Sequence, residues 1–140
     1  MVDEGTSSGS GGGHGGRPRV LVVDDEVDLL RAFRRLLPGH DVVTAPGGPD
    51  AVALLERDDA FDAIVLDVMM PDLDGTQVYQ WLRQHRPALA PRVVFCSGGI
   101  FGRAMQDYLR ALPNPLLIKP VSSQELLSAL APLTGWSPPA

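Results

Sequence analysis

Residues 61–75, FDAIVLDVMMPDLDG, decide how the chain is to be read. Within them Ala63-Ile64-Val65-Leu66 shows no alternation of polar and apolar residues, which marks a short strand buried on both faces. Asp67 follows at once, and Pro71 and Gly75 punctuate the loop after it before a helical pattern begins. A carboxylate at the carboxyl end of a buried strand stands where open α/β sheets place their ligand sites. Taken singly, Asp67 reads equally as a turn-making residue that ends a strand.

A second acidic site with the same order lies upstream. Arg19-Val20-Leu21-Val22-Val23 is another apolar run, and it ends in Asp24-Asp25-Glu26. If the two strands are parallel neighbours, Asp24, Asp25 and Asp67 converge at one edge of the sheet. Unpaired carboxylates packed together raise one another's pKa, so the cluster is costly unless a cation binds. A hard divalent ion with oxygen ligands, Mg²⁺ by preference or Mn²⁺, answers that need.

Length and composition limit the alternatives. At 140 residues and 15.0 kDa the chain accommodates one compact domain with a real core. A net charge of -5 and a pI near 5.0 argue against a general nucleic-acid or membrane-surface binder, because phosphate contacts need clustered Lys and Arg. The single cysteine, Cys96, excludes an internal disulfide and a cysteine-based zinc cluster, and it reads as a small core residue of a reducing compartment. Neither a membrane-spanning run nor a signal-peptide block is visible, so a cytoplasmic domain is expected.

Residues 1–16 are a Gly/Ser-rich leader or linker with almost nothing to bury: a natural tail, a tether or a cloning remnant. The folded domain is expected over residues 17–134, with 135–140 as a frayed tail. After the first strand a helix is expected over 27–37, with Leu29, Phe33 and Leu36 on one stripe, stopped by Pro38-Gly39. A second strand over 40–45 leads to a helix from Pro49 to about Arg57, with Val52 and Leu55 inward. A third helix over 75–85 turns Val78 and Leu82 inward with Trp81 on its flank, and a fourth strand over 92–96 finishes at Ser97-Gly98-Gly99. A fourth helical pattern spans 100–112, with Met105, Leu109 and Leu112 on one face, and breaks at Pro113-Asn114-Pro115. Leu116-Leu117-Ile118 is a fifth strand ending in Lys119-Pro120, and Ser122 to Glu125 form a capping-box pattern before a helix carrying Leu126, Leu127 and Leu130 ahead of Pro132.

Five strands alternating with five helices imply a parallel sheet covered on both faces. Asp24-Asp25, Asp67, Ser97 and Lys119 then share its carboxyl edge, whereas the second strand ends in a plain Ala45-Pro46 turn. That set suits phosphoryl transfer, which needs an in-line nucleophile and cations around the equatorial oxygens. Asp67 is the candidate nucleophile, forming an acyl phosphate, with Asp24 and Asp25 supplying oxygens to Mg²⁺. Lys119 would pair with one phosphoryl oxygen and Ser97 would donate to another. Singly, Lys119 reads as a surface lysine and Ser97 as a turn residue.

The motifs VLVVDDE (20–26), LDVMMPDLDG (66–75), FCSGG (95–99) and LIKP (117–120), in this order and spacing, resemble the receiver domains of two-component response regulators over residues 19–133. The resemblance implies a flavodoxin-like, CheY-like doubly wound sheet of order 2-1-3-4-5. It implies that Asp67 takes phosphate from a histidine kinase, a histidine phosphotransfer protein or a small phosphodonor. It also implies Mg²⁺ held by Asp25, Asp67 and the backbone carbonyl of Met69, with Asp24 acting through water. Ser97 becomes the switch hydroxyl and Lys119 the phosphate-pairing lysine.

The chain departs from the family in two places. Leu116 stands where many receivers carry a switching aromatic, three positions before the lysine, and Leu112-Pro113-Asn114-Pro115 replaces the usual Gly-Ala. The latter, with the Ser97-Gly98-Gly99 turn, looks most like receivers attached to hybrid histidine kinases. An aspartate-nucleophile phosphatase would need an acid two residues past Asp67, where Met69 stands, and no nucleotide-binding glycine loop follows any strand. The alternative from the interaction class is a docking or dimerisation module that works without phosphorylation. Output is expected through an unknown downstream protein, without nucleic-acid or membrane contact, and a homodimer is an allowed state.

Overall fold

The computed structural model of the chain describes residues 16–99 and 101–139. Among them, five strands alternate with five α-helices: β1 (Arg19–Val23), α1 (Val27–Leu36), β2 (Asp41–Ala45), α2 (Gly48–Arg57), β3 (Ala63–Asp67), α3 (Gly75–His85), β4 (Val93–Ser97), α4 (Arg103–Arg110), β5 (Leu116–Ile118) and α5 (Ser123–Thr134). A turn of 3₁₀ helix over Ala90–Arg92 leads into β4. The strands form one parallel sheet in the order β2-β1-β3-β4-β5, the flavodoxin-like order expected. Val23 is opposite Leu66 and Asp67 opposite Cys96, so β1, β3 and β4 end level with one another.

The apolar runs lack alternation because both faces of the sheet are covered. Leu21, Val23, Ile64, Leu66 and Phe95 pack on the side of α2, α3 and α4, where Leu55, Val78, Leu82 and Leu109 meet them. Val20, Val22, Val65, Val94 and Cys96 point the other way, toward Leu30 and Phe33 of α1 and Leu126 and Leu130 of α5. The Ser122–Glu125 capping box forms as expected, each backbone N–H donating to the other residue's side chain at 3.0 Å. None of the helices among the described residues is long and apolar enough to cross a membrane.

Several details differ from expectation. On α1 the buried residues are Leu30 and Phe33, continued by Leu37 just past its end, with Leu29 and Leu36 at the flank, because a helix lying on a sheet buries an arc wider than one row. On α2, Ala51 joins Leu55 inside and Val52 is half-buried. His40 closes the turn before β2 by donating its N–H to Leu37 at 3.3 Å, so β2 starts one residue late. Arg92 belongs to the 3₁₀ turn, which shifts β4 to Val93–Ser97. Ile100, the expected start of the fourth helix, lies outside the described residues; α4 starts at Arg103 after Gly102 in extended backbone and ends at Arg110, short of the expected 112, with Leu109 buried and Met105 and Leu112 half-buried.

Strand β5 lies at the sheet edge, with Leu116 36% and Ile118 60% exposed, beside an open groove lined also by Phe101, Gln106 and Arg110. Helix α5 runs through Pro132 to Thr134 and closes on Gly135 at φ 71, whose N–H donates to Ala131 at 2.9 Å. The tail is not frayed at its start. Trp136 sits on His40 with ring centroids 4.8 Å apart, and a Cβ on Gly39, at φ +79, would stand 2.9 Å from its indole nitrogen. The expected leader lies, but for Gly16, outside the described residues.

Candidate functional site

The carboxyl edge of the sheet gathers the expected side chains. Asp24 leaves β1 almost fully buried; its N–H donates to Ala45 at 3.2 Å and its carboxylate accepts from the Glu26 N–H at 2.9 Å. Asp67 closes β3, and the loop after it is pinned at both ends: Val68 N–H donates to Cys96 at 3.0 Å and Gly75 N–H to Val68 at 2.9 Å. The crossing at Gly75 is so close that a Cβ there would stand 2.3 Å from the Asp67 carbonyl oxygen. Asp74 serves α3 instead of the site, accepting from Gln77 N–H at 3.0 Å and Thr76 Oγ1 at 2.7 Å.

Lys119 reaches the acidic cluster because its N–H donates to the Ser97 carbonyl at 2.8 Å, extending the β4–β5 ladder past Ile118. Its aliphatic stem then runs over Gly98, where a Cβ would come within 3.2 Å of it. Nζ ends 2.7 Å from Asp24 Oδ2, 3.4 Å from Asp67 Oδ1 and 3.9 Å from Glu26 Oε1. The carboxylates are therefore not unpaired, as the motif alone suggested: a half-buried ammonium spans two of them.

Electrostatics follow from this packing. Burial, then the charge of Asp24, pushes the Asp67 carboxyl up to about 6 against the opposing pull of Lys119 and a hydrogen bond from the Met69 backbone. Burial drags the Lys119 ammonium down, but its bond to Asp24 and the charges of Asp24 and Asp67 outweigh that and leave it above its ordinary value. Burial pushes the Cys96 thiol up to about 12, in keeping with a core role.

Asp24, Asp25 and Asp67 each offer an oxygen, all within 4.8 Å of one another. This all-oxygen donor set fits a hard divalent ion such as Mg²⁺. Asp67 and Asp25 line a cleft of about 380 Å³ together with Glu26, Met69, Gly98, Gly99 and Lys119. Ser97 is at the edge but fully buried, its Oγ accepting from the Gly99 N–H at 3.4 Å. Glu26, unassigned from sequence, joins the cleft through its place directly after Asp24-Asp25. Gly75 and Gly98 read in the sequence only as turn residues, because contacts across the fold leave no local signal.

Comparison with known proteins agrees with this geometry. Residues 20–131 match the model of the response regulator receiver domain. The chain is 36% identical over 125 residues to the transcriptional regulatory protein TcrA of Mycobacterium tuberculosis, covering 86% of this chain and 47% of TcrA. It is 36% identical over 123 residues to the response regulator MprA of Mycolicibacterium vanbaalenii, covering 86% and 52% of the two chains. Over 124 residues it is 31% identical to the sensor protein GacS of Pseudomonas syringae, covering 84% of this chain and 14% of GacS. It thus spans about half the length of the first two relatives. Among solved structures, the Vibrio cholerae chemotaxis protein CheY4 superimposes with a TM-score of 0.70 at 26% identity, covering 84% of this chain and 98% of that one. Sheet order, edge chemistry and sequence agree that this chain belongs to the response regulator receiver domain family.

Proposed function

We propose that the domain is the phosphoacceptor of a two-component phosphorelay, with Asp67 receiving the phosphoryl group from a histidine kinase or histidine phosphotransfer protein. The observation that carries this reading is the cleft in which Asp67 and Asp25 meet Lys119, with an oxygen of the buried Asp24 within 4.8 Å of theirs. With its carboxyl at about 6, Asp67 is mostly ionised near neutral pH and attacks phosphorus without a general base. The P–N bond to the donor histidine breaks as the P–O bond to Asp67 forms, and the imidazole nitrogen keeps the electron pair. A divalent ion held by Asp24, Asp25, Asp67 and the Met69 carbonyl would supply charge neutralisation at the transferring group. Lys119, within 3.4 Å of Asp67 already, turns to a phosphoryl oxygen, and Ser97 gives up Gly99 to donate to another. Such a protein catalyses only its own phosphotransfer and dephosphorylation.

The output surface of this reading is the face around α4 and β5, where the ladder bond from Lys119 to Ser97 joins the site to exposed Leu116 and Ile118. Two relatives are regulators nearly twice as long, and a third is a sensor protein about six times as long by coverage, so the downstream partner belongs to a larger assembly. The absence of nucleic-acid contact is proposed for this domain alone. A second reading, docking without phosphorylation, draws on the same exposed β5 residues.

Loading with acetyl phosphate or beryllofluoride in Mg²⁺ decides between them. The phosphoacceptor reading expects one phosphoryl group per chain, lost in Asp67→Asn and in chelator, with amide shifts around Ser97 and α4. Undiminished labelling of Asp67→Asn would overturn it, and loading without any shift would favour the docking module.

A further inference from the structure

Among the described residues, Met69 is the one apolar side chain lining the Asp67 cleft. Its outward position is built into the loop. Val68 before it and Met70 after it are both anchored in the core, and the hydrogen bonds of Val68 and Gly75 hold the segment at either end. Met69 is left 48% exposed between these anchors, while its own backbone bonds to the Asp67 carboxylate. Met70 is 8% exposed and Met105 half-buried.

We infer that Met69 is a peroxide-sensitive modification site whose oxidation shortens the life of the phosphate on Asp67. This rests on the phosphoacceptor reading. In the step itself the sulfur lone pair attacks one oxygen of a hydroperoxide such as hydrogen peroxide, and the O–O bond breaks. The proton on the transferred oxygen joins the departing hydroxide as water; sulfur loses two electrons and the peroxide gains them. A thioether is only a weak acceptor, so reduced Met69 leaves water at the cleft mouth without a partner on that side. The sulfoxide oxygen is a strong, dipolar acceptor on the same side chain. Water held there, next to the acyl phosphate, is closer to an in-line approach than free water. Glu26 and Asp25, the other acceptors on the rim, are drawn toward Lys119 and toward the metal cluster.

The test treats folded, Mg²⁺-loaded protein with graded hydrogen peroxide, maps oxidation by peptide mass, then loads acetyl phosphate and follows phosphate loss. Met69 should oxidise ahead of Met70 and Met105, and phosphate should then leave at least about threefold faster. Methionine sulfoxide reductase should restore the original rate. Met69→Leu should not respond to peroxide, whatever its own rate, and Met69→Gln should lose phosphate faster than the parent without peroxide. Oxidation spread evenly over the methionines, an unchanged rate after Met69 oxidation, or an equal response in Met69→Leu would each overturn the inference. Selective oxidation is read by mass whether or not phosphate loads, so a failure to load would strike the phosphoacceptor reading instead.

Discussion

Lys119 donates to Asp24 across 2.7 Å, joining two residues 95 apart in the chain. The Asp24 carboxylate is only 1% exposed, so this ammonium is its chief compensation for lost water. Lys119→Ala should cost the metal-free protein about 3 kcal/mol in urea unfolding, with part of the loss recovered in Mg²⁺. Phosphate should still load on the variant, but the amide shifts around Ser97 should shrink. Shifts identical to the parent's would show that Lys119 does not couple the site to the rest of the domain.

Asp67 holds its proton up to about 6 in the folded chain against an ordinary 3.8. The folded state therefore binds more protons than the unfolded state between those values, and stability falls as pH rises through that window. Ionised Asp67 is a standing cost at neutral pH. Asp67→Asn should stabilise the metal-free protein by about 2 kcal/mol near pH 7.5, with the gain gone below about pH 4. Saturating Mg²⁺ should reverse the ranking by stabilising the parent and not the variant. A gain equal at both pH values would place its origin elsewhere.

At Gly75 the backbones of the β3 end and the α3 start nearly touch. A methyl there would meet the Asp67 carbonyl at 2.3 Å and the Val68 Cα at 2.9 Å, both parts of the main chain. Gly75→Ala should therefore destabilise by about 3 kcal/mol and slow phosphate loading beyond what the stability loss explains. Normal loading in a folded variant would show that Asp67 tolerates displacement.

The 112–115 segment gains its order from Asn114. Its amide donates to Ala90 and Val93 carbonyls, both at 2.9 Å, and its oxygen accepts from the Tyr79 hydroxyl at 3.0 Å. Asn114→Ala leaves those buried groups without partners and should cost about 2 to 3 kcal/mol, against about 1 for Tyr79→Phe. A double variant no worse than Asn114→Ala alone would confirm that the two act as one unit; additive losses would refute it.

Phosphate should persist on the parent protein, because Met69 has only a thioether and Gly99 no side chain to orient an attacking water. A Cβ at Gly99 meets nothing within 4 Å, so a longer residue has room. Met69→Asn combined with Gly99→Glu should speed phosphate loss by roughly tenfold or more, followed by phosphate release. An unchanged rate would exclude missing polar groups as the cause.

The strand runs and their terminal acids were legible because both carry local signals: unbroken apolarity for a doubly covered sheet, and a carboxylate where the run stops. Asp24, Asp25, Asp67 and Lys119 follow from those ends. Helix faces were less legible, since Leu29 and Leu30 are equally apolar and only the underlying sheet selects between them. The exposure of Ile118 follows from the edge position of β5, which a three-residue apolar run does not reveal. Trp136 was lost to a Pro-rich tail signal because its seat is made by Gly39 and His40, nearly a hundred positions earlier. Pro132 read as a stop, yet a proline in the last turn forfeits a single backbone bond and the helix closes beyond it.

The seating of Trp136 has a bearing on how this domain could be carried by a host polypeptide. Gly16 and Pro18 line one cleft, of about 350 Å³, with Leu133, Gly135 and Trp136, at the opposite end of the strands from Asp67. Chain entering and chain leaving therefore share a doorway, so the domain is shaped as a cassette that could interrupt a longer sequence without prising its two sides apart. Any cargo tethered at that doorway would hang behind the sheet and leave the acidic edge open to an approaching phosphodonor.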